Sequence, residues 1–172
     1  MHHTYFSADD VLELYNTLQQ LQIEIWIDGG WGVDALLGQQ TREHQDLDIV
    51  IQKNHLATFS NLLMARGYSE QIQDDSCAWN FVLGDKAGRR IDVHVISFDP
   101  HGNGIYGPAE RGIFYPAKTL TGEGQINGIT VKFLTPEYQI ESHTGYLLKE
   151  KDFKDVRNLC HAFRIALPTE YL

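Results

Sequence analysis

A chain of 172 residues with 42 % hydrophobic side chains is long enough to bury one compact core, and its length argues against several independent domains. Its 14 basic and 23 acidic side chains give a net charge of −9, which argues against a nucleic-acid partner, because such binding depends on a basic surface. An acidic protein is better suited to a small cationic substrate, although the charge could equally serve only to keep the protein soluble.

The first quarter of the chain predicts helix, strand and helix in that order. Ser7 and Asp10 have the spacing of a capping box, and apolar residues then recur at helical intervals, which predicts an amphipathic helix. In residues 23–27 three isoleucines alternate with Glu24 and Trp26, as in a strand with one buried face. A glycine pair follows, and a short helix is predicted over residues 31–37, ending at Gly38.

The next segment predicts a strand, a helix and a hairpin. β-Branched residues mark a strand over residues 47–51, and a helix follows from Asn54 until Gly67. Residues 79–83 and 90–96 flank the turn-like sequence GDKAG, which predicts an antiparallel hairpin. The hairpin, together with the alternation of helices and strands, predicts an α/β (α+β) fold with a mixed sheet flanked by helices.

The last third of the chain predicts a long loop, a strand and C-terminal helices. Residues 99–128 are rich in glycine and contain three prolines, so we expect a surface excursion or lid with one short strand, and a candidate substrate loop. Residues 129–134 predict a last strand. Thr135 and Pro136 are typical of a helix start, and a final helix is predicted over residues 152–165.

The cysteines and the N-terminal sequence indicate the cellular compartment of the protein. Cys77 and Cys160 lie far apart without a CxxC spacing, so we expect neither a disulfide framework nor a zinc site. The first residues lack a basic region followed by an apolar run, and no stretch of about 18 apolar residues occurs. We therefore expect a cytoplasmic protein without a membrane span, and we assign no role to His2 and His3.

Three aspartates on two predicted strands are the first candidates for chemistry. Asp46 and Asp48 are two residues apart, so both side chains project from one face of their strand. Such a pair of oxygen ligands suits Mg²⁺, although a solvated strand face would also explain the pair. Asp92 lies in the apolar strand RIDVHVI, where a carboxylate is costly unless it is paired or coordinated. It could pair with Arg89 or Arg90, but the three carboxylates would converge if the two strands were neighbours.

A glycine pair and two basic residues accompany the acidic strand. Gly29 and Gly30 join a strand to a helix, which would leave backbone N–H groups free to bind a triphosphate. A tight turn without a ligand would use glycine as well. Arg42 could bridge phosphate oxygens or be a surface ion-pair partner, and His44 could orient a phosphate or have a structural role. The aromatic side chains nearby, those of Trp26 and Trp31, are expected to pack in the core.

Three motifs together resemble a known family. GGW, then TREHQDLDI about ten residues later, and a distant IDVH resemble the small antibiotic nucleotidyltransferases of the DNA polymerase beta-like superfamily. The similarity is greatest to the short-type lincosamide nucleotidyltransferases, followed by the aminoglycoside 2″-nucleotidyltransferases, and it covers most of the chain. The segment HTGYLLKEKDFKDVRNL also resembles the lincosamide enzymes. One departure is that the superfamily usually has Gly-Ser where this chain has Gly29 and Gly30, so backbone would replace a serine contact to phosphate.

The resemblance implies a nucleotidyltransferase fold and a reaction. The reaction is the Mg²⁺-dependent transfer of a nucleoside monophosphate, expected to be AMP from ATP, to a hydroxyl of a lincosamide. The expected cofactor is a pair of Mg²⁺ ions, and Asp92 would be a metal ligand, the base that deprotonates the acceptor, or both. The candidate site residues are Asp46, Asp48 and Asp92 for catalysis and metal binding, and Gly29, Gly30, Arg42 and Lys151 for nucleotide binding.

Two other functions stay open at this point. An aminoglycoside nucleotidyltransferase would share the catalytic residues and differ in the acceptor pocket. A non-catalytic nucleotide-binding or antitoxin-like module would keep the fold without turnover, although the three aspartates argue against it. We expect a core over residues 1–134 with a helical segment, 135–172, packed on it, and acceptor-selecting residues within 99–150. Because related enzymes often pair, the resemblance also suggests a homodimer.

Overall fold

The computed structural model describes residues 4–172, and Met1, His2 and His3 lie outside the described residues. The described residues form five α-helices and nine strands. The helices are α1 (Ala8–Gln20), α2 (Gly29–Leu37), α3 (Leu56–Ala65), α4 (Pro136–Ser142) and α5 (Glu150–Phe163). The strands are β1 (Ile25–Asp28), β2 (Asp46–Gln52), β3 (Ser69–Gln71), β4 (Asn80–Gly84), β5 (Arg90–Phe98), β6 (Gly104–Tyr106), β7 (Phe114–Tyr115), β8 (Gly122–Ile126) and β9 (Ile129–Phe133).

The strands form one mixed sheet, as the sequence predicts. Their order is β3, β4, β5, β2, β1, β9 and β8, and β6 and β7 extend the sheet from the end of β5. The pairs β2 with β5 and β1 with β9 are parallel. The predicted hairpin of β4 and β5 is antiparallel. The strand of Asp92 therefore lies directly beside the strand of Asp46 and Asp48.

Local signals explain where the helices begin and end. The side chain of Ser7 and that of Asp10 form the predicted capping box of α1. Helix α2 begins at Gly29, two residues earlier than predicted, because the Asp28 carboxylate accepts a hydrogen bond from the Gly29 N–H and caps the helix. Gly38 ends α2 with a φ of 70°, the left-handed conformation that glycine adopts at little cost.

Other element boundaries differ from the predictions by about two residues. Strand β1 starts at Ile25 rather than at residue 23, and α3 starts at Leu56 because residues 53–55 form a 3₁₀ turn. Helix α5 also starts two residues before the predicted position. Thr135 precedes α4, but its side chain makes no capping hydrogen bond, so that part of the prediction is wrong. Strand β3 was missed because its three residues are polar and exposed.

The expectation of a loop with one short strand over residues 99–128 is wrong. This segment contains β6, β7 and β8, which pair with β5, with each other and with β9. The prolines and some glycines lie between these strands, other glycines lie within β6 and β8, and the apolar residues Tyr115, Leu120 and Ile126 are buried. The frequent turn residues concealed short strands that only tertiary packing stabilises.

The two faces of the sheet bury different sets of side chains. The larger core lies on the face covered by α1 and α3 and includes Leu47, Ile49, Ile91 and Val93. The opposite face carries a smaller aromatic cluster that includes Trp26 and Val50. Alternation along β2 and β5 therefore leaves the aspartates on the face opposite the larger core.

The C-terminal helices pack on α2. Val33 of α2 joins Ile140, Val156, Leu159 and Tyr171 in a third buried cluster. This packing supports the predicted attachment of residues 135–172 to the core, and the division of the chain at residue 134 stays a prediction.

The prediction that both tryptophans pack in the core is confirmed. Trp26 and Trp31 are buried, and the Trp26 Nε1–H donates a hydrogen bond to the Leu120 carbonyl at 2.7 Å. Cys77 and Cys160 are unpaired cysteines. Within residues 4–172, no helix combines the length and the apolar character that crossing a membrane requires.

Candidate active site

A row of carboxylates crosses the centre of the sheet. Asp28 at the end of β1 lies opposite Asp48 on β2, and Asp48 lies opposite Asp92 on β5. Asp46 is opposite Arg90 and shares the strand face of Asp48. The structure thus brings together the three aspartates predicted from sequence and adds a fourth, Asp28.

Burial and mutual repulsion raise the pKa of two carboxylates in this row. The pKa of Asp48 is raised well above its usual value, first by burial and then by the negative charges of Asp28, Asp92 and Asp46. The pKa of Asp92 is also raised, by burial and by the charge of Asp46. A cation placed among these carboxylates would relieve both effects, because opposite charge favours the ionised form.

One cavity of about 310 Å³ contains all seven residues predicted from sequence. Those seven are Gly29, Gly30, Arg42, Asp46, Asp48, Asp92 and Lys151. The remaining lining residues are His143, Tyr146, Lys149 and Asp152. Carboxylates and the basic side chains of Arg42, Lys149 and Lys151 line the same cavity, so the cavity suits an anionic ligand that binds together with a metal cation.

Close contacts with neighbouring side chains leave room only for glycine at positions 29 and 30. Gly29 has a φ of +59°, and a Cβ at this position would overlap the Asp48 carboxylate. A Cβ at Gly30 would overlap Arg42 Nη2 and His44 Nδ1. The Gly29 N–H donates to Asp28 Oδ1 at 2.7 Å, so this one N–H is occupied, and contact of the glycine pair with a phosphate stays a prediction.

Two buried carboxylates hold the basic residues that precede β2. Arg42 Nη2 lies 3.2 Å from Asp155 Oδ2 on α5, and the Asp155 side chain is only 3 % exposed. Arg42 is therefore an ion-pair partner that lines the cavity rather than a plain surface residue. His44 is buried, with its Nε2 2.5 Å from Asp34 Oδ2, which favours the structural role for this histidine.

The proposed salt-bridge alternative for Asp92 does not hold for Arg89. The Arg89 guanidinium lies 2.8 Å from Asp85 and 3.0 Å from Asp10, and Arg89 does not line the cavity. Arg90 is exposed, and its positive charge lowers the pKa of Asp92 only as a minor influence after burial and Asp46.

Sequence reasoning missed several residues around the start of α5. Lys149 lines the cavity, and its N–H donates to the buried Asp152 carboxylate at 2.7 Å as part of a capping box. Tyr146 and His143 lie in the segment before the helix. The available signal was the pattern Lys149-x-x-Asp152, which has capping-box spacing and falls inside the segment that resembles the lincosamide enzymes.

The residues present fit Mg²⁺ bound together with a phosphate ligand. Within residues 4–172, no three His, Cys, Asp or Glu side chains are arranged to hold a metal ion by themselves. Mg²⁺, however, is usually held by one or two carboxylates together with substrate phosphates and water, rather than by a cage of protein ligands. Asp46 and Asp48 on one face of β2 supply such a pair, and the raised pKa of Asp48 indicates an uncompensated negative charge.

Comparisons with known proteins found a matching family model and similar relatives. The sequence model of the aminoglycoside-2''-adenylyltransferase family matches residues 10–159. A lincosamide resistance protein from Staphylococcus haemolyticus is 26 % identical over 162 residues, which cover 92 % of this chain and 98 % of that protein.

Two solved structures are also similar. The lincomycin-bound crystal structure of the lincosamide antibiotic adenylyltransferase LnuA aligns with a TM-score of 0.81 and 25 % identity, over 94 % of this chain and 99 % of that one. The crystal structure of ANT(2'')-Ia in complex with adenylyl-2''-tobramycin aligns with a TM-score of 0.72 and 18 % identity, over 91 % of this chain and 88 % of that one. At that identity the second likeness shows the fold alone.

Proposed function

Because this chain belongs to the aminoglycoside-2''-adenylyltransferase family, we propose that it transfers AMP from ATP to a hydroxyl of a lincosamide antibiotic. It is a nucleotidyltransferase, and the resemblance carried by its GGW, TREHQDLDI and IDVH motifs is confirmed. The observation that carries the proposal is the single cavity in which a carboxylate row faces cationic side chains. The names of the relatives that cover nearly the whole chain support a lincosamide as the acceptor.

The proposed reaction is an in-line displacement at phosphorus. The acceptor oxygen attacks the α-phosphorus of ATP, the bond from this phosphorus to the bridging oxygen breaks, and pyrophosphate leaves with the bonding electrons. Asp92 accepts the hydroxyl proton, a role to which its raised pKa is suited. Arg42, Lys149 and Lys151 hold the triphosphate and offset the charge that develops on the leaving group.

The proposed metal site uses the carboxylates on β2. Asp46, Asp48 and the phosphate oxygens would hold Mg²⁺, with Asp92 as a further ligand. When bound, Mg²⁺ supplies Lewis-acid polarisation of the α-phosphate and counter-charge for pyrophosphate. Asp46 and Asp48 are fixed by the strand, so their positions need little rearrangement when the nucleotide binds.

An aminoglycoside is the second candidate acceptor. The family carries the name of a 2''-adenylyltransferase of aminoglycosides, and the acidic charge of the chain suits a polycation. An aminoglycoside would need several acids around its pocket, whereas a lincosamide needs one acid and more apolar surface.

Mass spectrometry of the products tests both candidates. The full chain is incubated with Mg²⁺, each of the four nucleoside triphosphates, and lincomycin, clindamycin, tobramycin or kanamycin. We expect an AMP adduct on lincomycin and clindamycin with ATP, and no adduct after EDTA is added. An adduct only on tobramycin or kanamycin would support the second candidate. No adduct on any of the four acceptors, from a folded protein, would refute the proposed function.

A further inference from the structure

The face of the sheet that carries the aspartates has two chemically different ends. Strand β2 runs from Asp46 through Asp48 to Val50 on this face. At the Asp46 end lies the cavity with its cationic side chains. At the Val50 end lies the aromatic cluster, in which Val50 packs with Trp26 and Tyr115. The carboxylate row separates a cationic end from an aromatic end.

The aromatic end continues as a wall of three tyrosines. The rings of Tyr106 and Tyr115 have centroids 5.8 Å apart, and those of Tyr115 and Tyr138 are 5.3 Å apart. His94, two residues beyond Asp92 on β5, extends the wall with its ring 5.8 Å from that of Tyr106. We call Tyr106, Tyr115 and Tyr138 the tyrosine wall. Tyr106 and Tyr138 are half-buried, so each offers part of its ring to a ligand.

Asp28 lies where the tyrosine wall meets the carboxylate row. Its place opposite Asp48 follows from the register of β1 and β2, and its Oδ1 is held by the Gly29 N–H. The pKa of Tyr138 is raised to about 12, first by burial and then by the charge of Asp28. Burial followed by the same charge raises the pKa of Tyr115. The carboxylate of Asp28 thus acts electrostatically on the tyrosine wall as well as on Asp48.

We propose that Asp28 and the tyrosine wall form the acceptor subsite, in which Asp28 binds a protonated amine and the tyrosines pack on the apolar rings of the acceptor. This inference rests on the proposed function and names the substrate class: a compound with one amine and substantial apolar surface. The cationic end of the sheet face would repel such a compound and attracts the triphosphate instead. An acceptor at the aromatic end would approach the α-phosphorus from the side opposite the pyrophosphate, as in-line attack requires.

Three features make this subsite suited to a single amine. Asp28 gives the amine a charge-assisted partner, and the nearby aromatic faces stabilise a cation further. Three other acids act on the wall: Asp48, which belongs to the carboxylate row, Asp75, which is hydrogen-bonded to Asn80 at 3.0 Å, and Glu141, which is exposed on α4. The tyrosines add no charge of their own, and the hydrogen bond that the Tyr106 hydroxyl donates to Asn80 Oδ1 at 3.0 Å holds its ring in place.

Steady-state kinetics of Asp28→Asn test the proposal. Asparagine keeps an oxygen that can accept from the Gly29 N–H, so the start of α2 is preserved while the charge is lost. Asp28→Ser is the second charge-removing variant, since serine also caps helices. Glu70→Gln is the matched control, because Glu70 is an exposed acid on the far edge strand β3. Products are first identified by mass spectrometry with the wild-type protein, so that failure of the proposed function is recognised separately.

The expected result is a selective change in KM for the antibiotic. With lincomycin, both Asp28 variants should raise KM by at least about tenfold, leave KM for ATP within about twofold, and lose the salt dependence of the acceptor KM. Glu70→Gln should match the wild type in KM for lincomycin, in KM for ATP and in the salt dependence of the acceptor KM. If a wild-type protein that adenylates lincomycin keeps its acceptor KM in both Asp28 variants, the proposal is wrong. It is equally wrong if KM for ATP rises as much as KM for lincomycin, because Asp28 would then act through the nucleotide site.

Discussion

Replacing Asp48 by asparagine measures the electrostatic cost of the carboxylate row. Asp48 lies opposite Asp28 and Asp92, and neighbouring strands are about 4.8 Å apart. Two unit charges about 5 Å apart repel by about 3 kcal/mol at an effective dielectric constant of about 20. These side chains are partly exposed, which weakens the repulsion. We therefore expect Asp48→Asn to raise the free energy of unfolding of the Mg²⁺-free protein by about 2 kcal/mol.

The assay is thermal unfolding in EDTA at about pH 5 and about pH 8. For a domain of this size, about 2 kcal/mol corresponds to a rise in Tm of roughly 4–8 °C. The pKa of Asp48 in the folded protein is raised above 3.8, by burial first and then by neighbouring acids. The ionised group therefore destabilises the fold, by an amount that is absent below the unfolded pKa and grows as pH rises through the folded pKa. The advantage of the variant should be larger at pH 8.

Addition of Mg²⁺ and a non-hydrolysable ATP analogue completes the experiment. The wild-type protein should gain stability through ligand binding, and Asp48→Asn should gain much less while losing adenylation activity. Glu70→Gln, which changes an exposed acid on β3, should leave both measurements close to the wild type. A variant that is no more stable than the wild type in EDTA at pH 8, or that responds equally to the Mg²⁺ complex, would refute this reasoning.

Two further predictions concern Arg42. Asp155→Asn removes the negative charge that lies 3.2 Å from the Arg42 guanidinium. KM for ATP should then rise roughly tenfold, a change of about 1.4 kcal/mol, because a charged hydrogen bond is lost. An unchanged KM in a protein with a wild-type circular dichroism spectrum would show that Asp155 does not position Arg42. Gly30→Ala places a Cβ against Arg42 and His44 and should cost about 1–3 kcal/mol of stability in urea unfolding and weaken ATP binding. Gly84→Ala on β4 is its control, because the added Cβ meets the flexible side chain of Gln71, and equal losses in both variants would contradict the assigned contact.

The carboxylate site was predictable because its signals are local. Two aspartates separated by one residue must share a strand face, and an aspartate between apolar residues on β5 marks a special position. Their convergence required only that the two strands be neighbours, which they are. The roles assigned to Asp46, Asp48 and Asp92 stay predictions, as do the two Mg²⁺ ions, the homodimer and the cytoplasmic location.

The remaining site residues were missed because their signals depend on tertiary contacts. Asp34 and Asp155 are acids on helices, and only packing shows that they are buried against His44 and Arg42. Asp28 directly precedes the GGW motif, but the effect of its charge on Tyr115 and Tyr138 involves residues about a hundred positions away. The prediction of a loop over residues 99–128 was wrong for the same reason. Strands β6 and β7 contain few residues, and their pairing with the edge of the sheet holds them in place.

Because α5 contributes to the cavity, the cavity is completed only after every strand of the sheet has been synthesised. The sheet with Asp46, Asp48 and Asp92 is complete once β9 has formed, but Lys151 and the Asp155 partner of Arg42 arrive only with α5. A nascent chain that lacks this helix has Arg42 but neither Lys151 nor the carboxylate that holds Arg42, so we expect it to have a lower affinity for a triphosphate. We therefore expect the strands that carry the aspartates to be in place on a ribosome-bound chain before the cavity acquires the residues of α5.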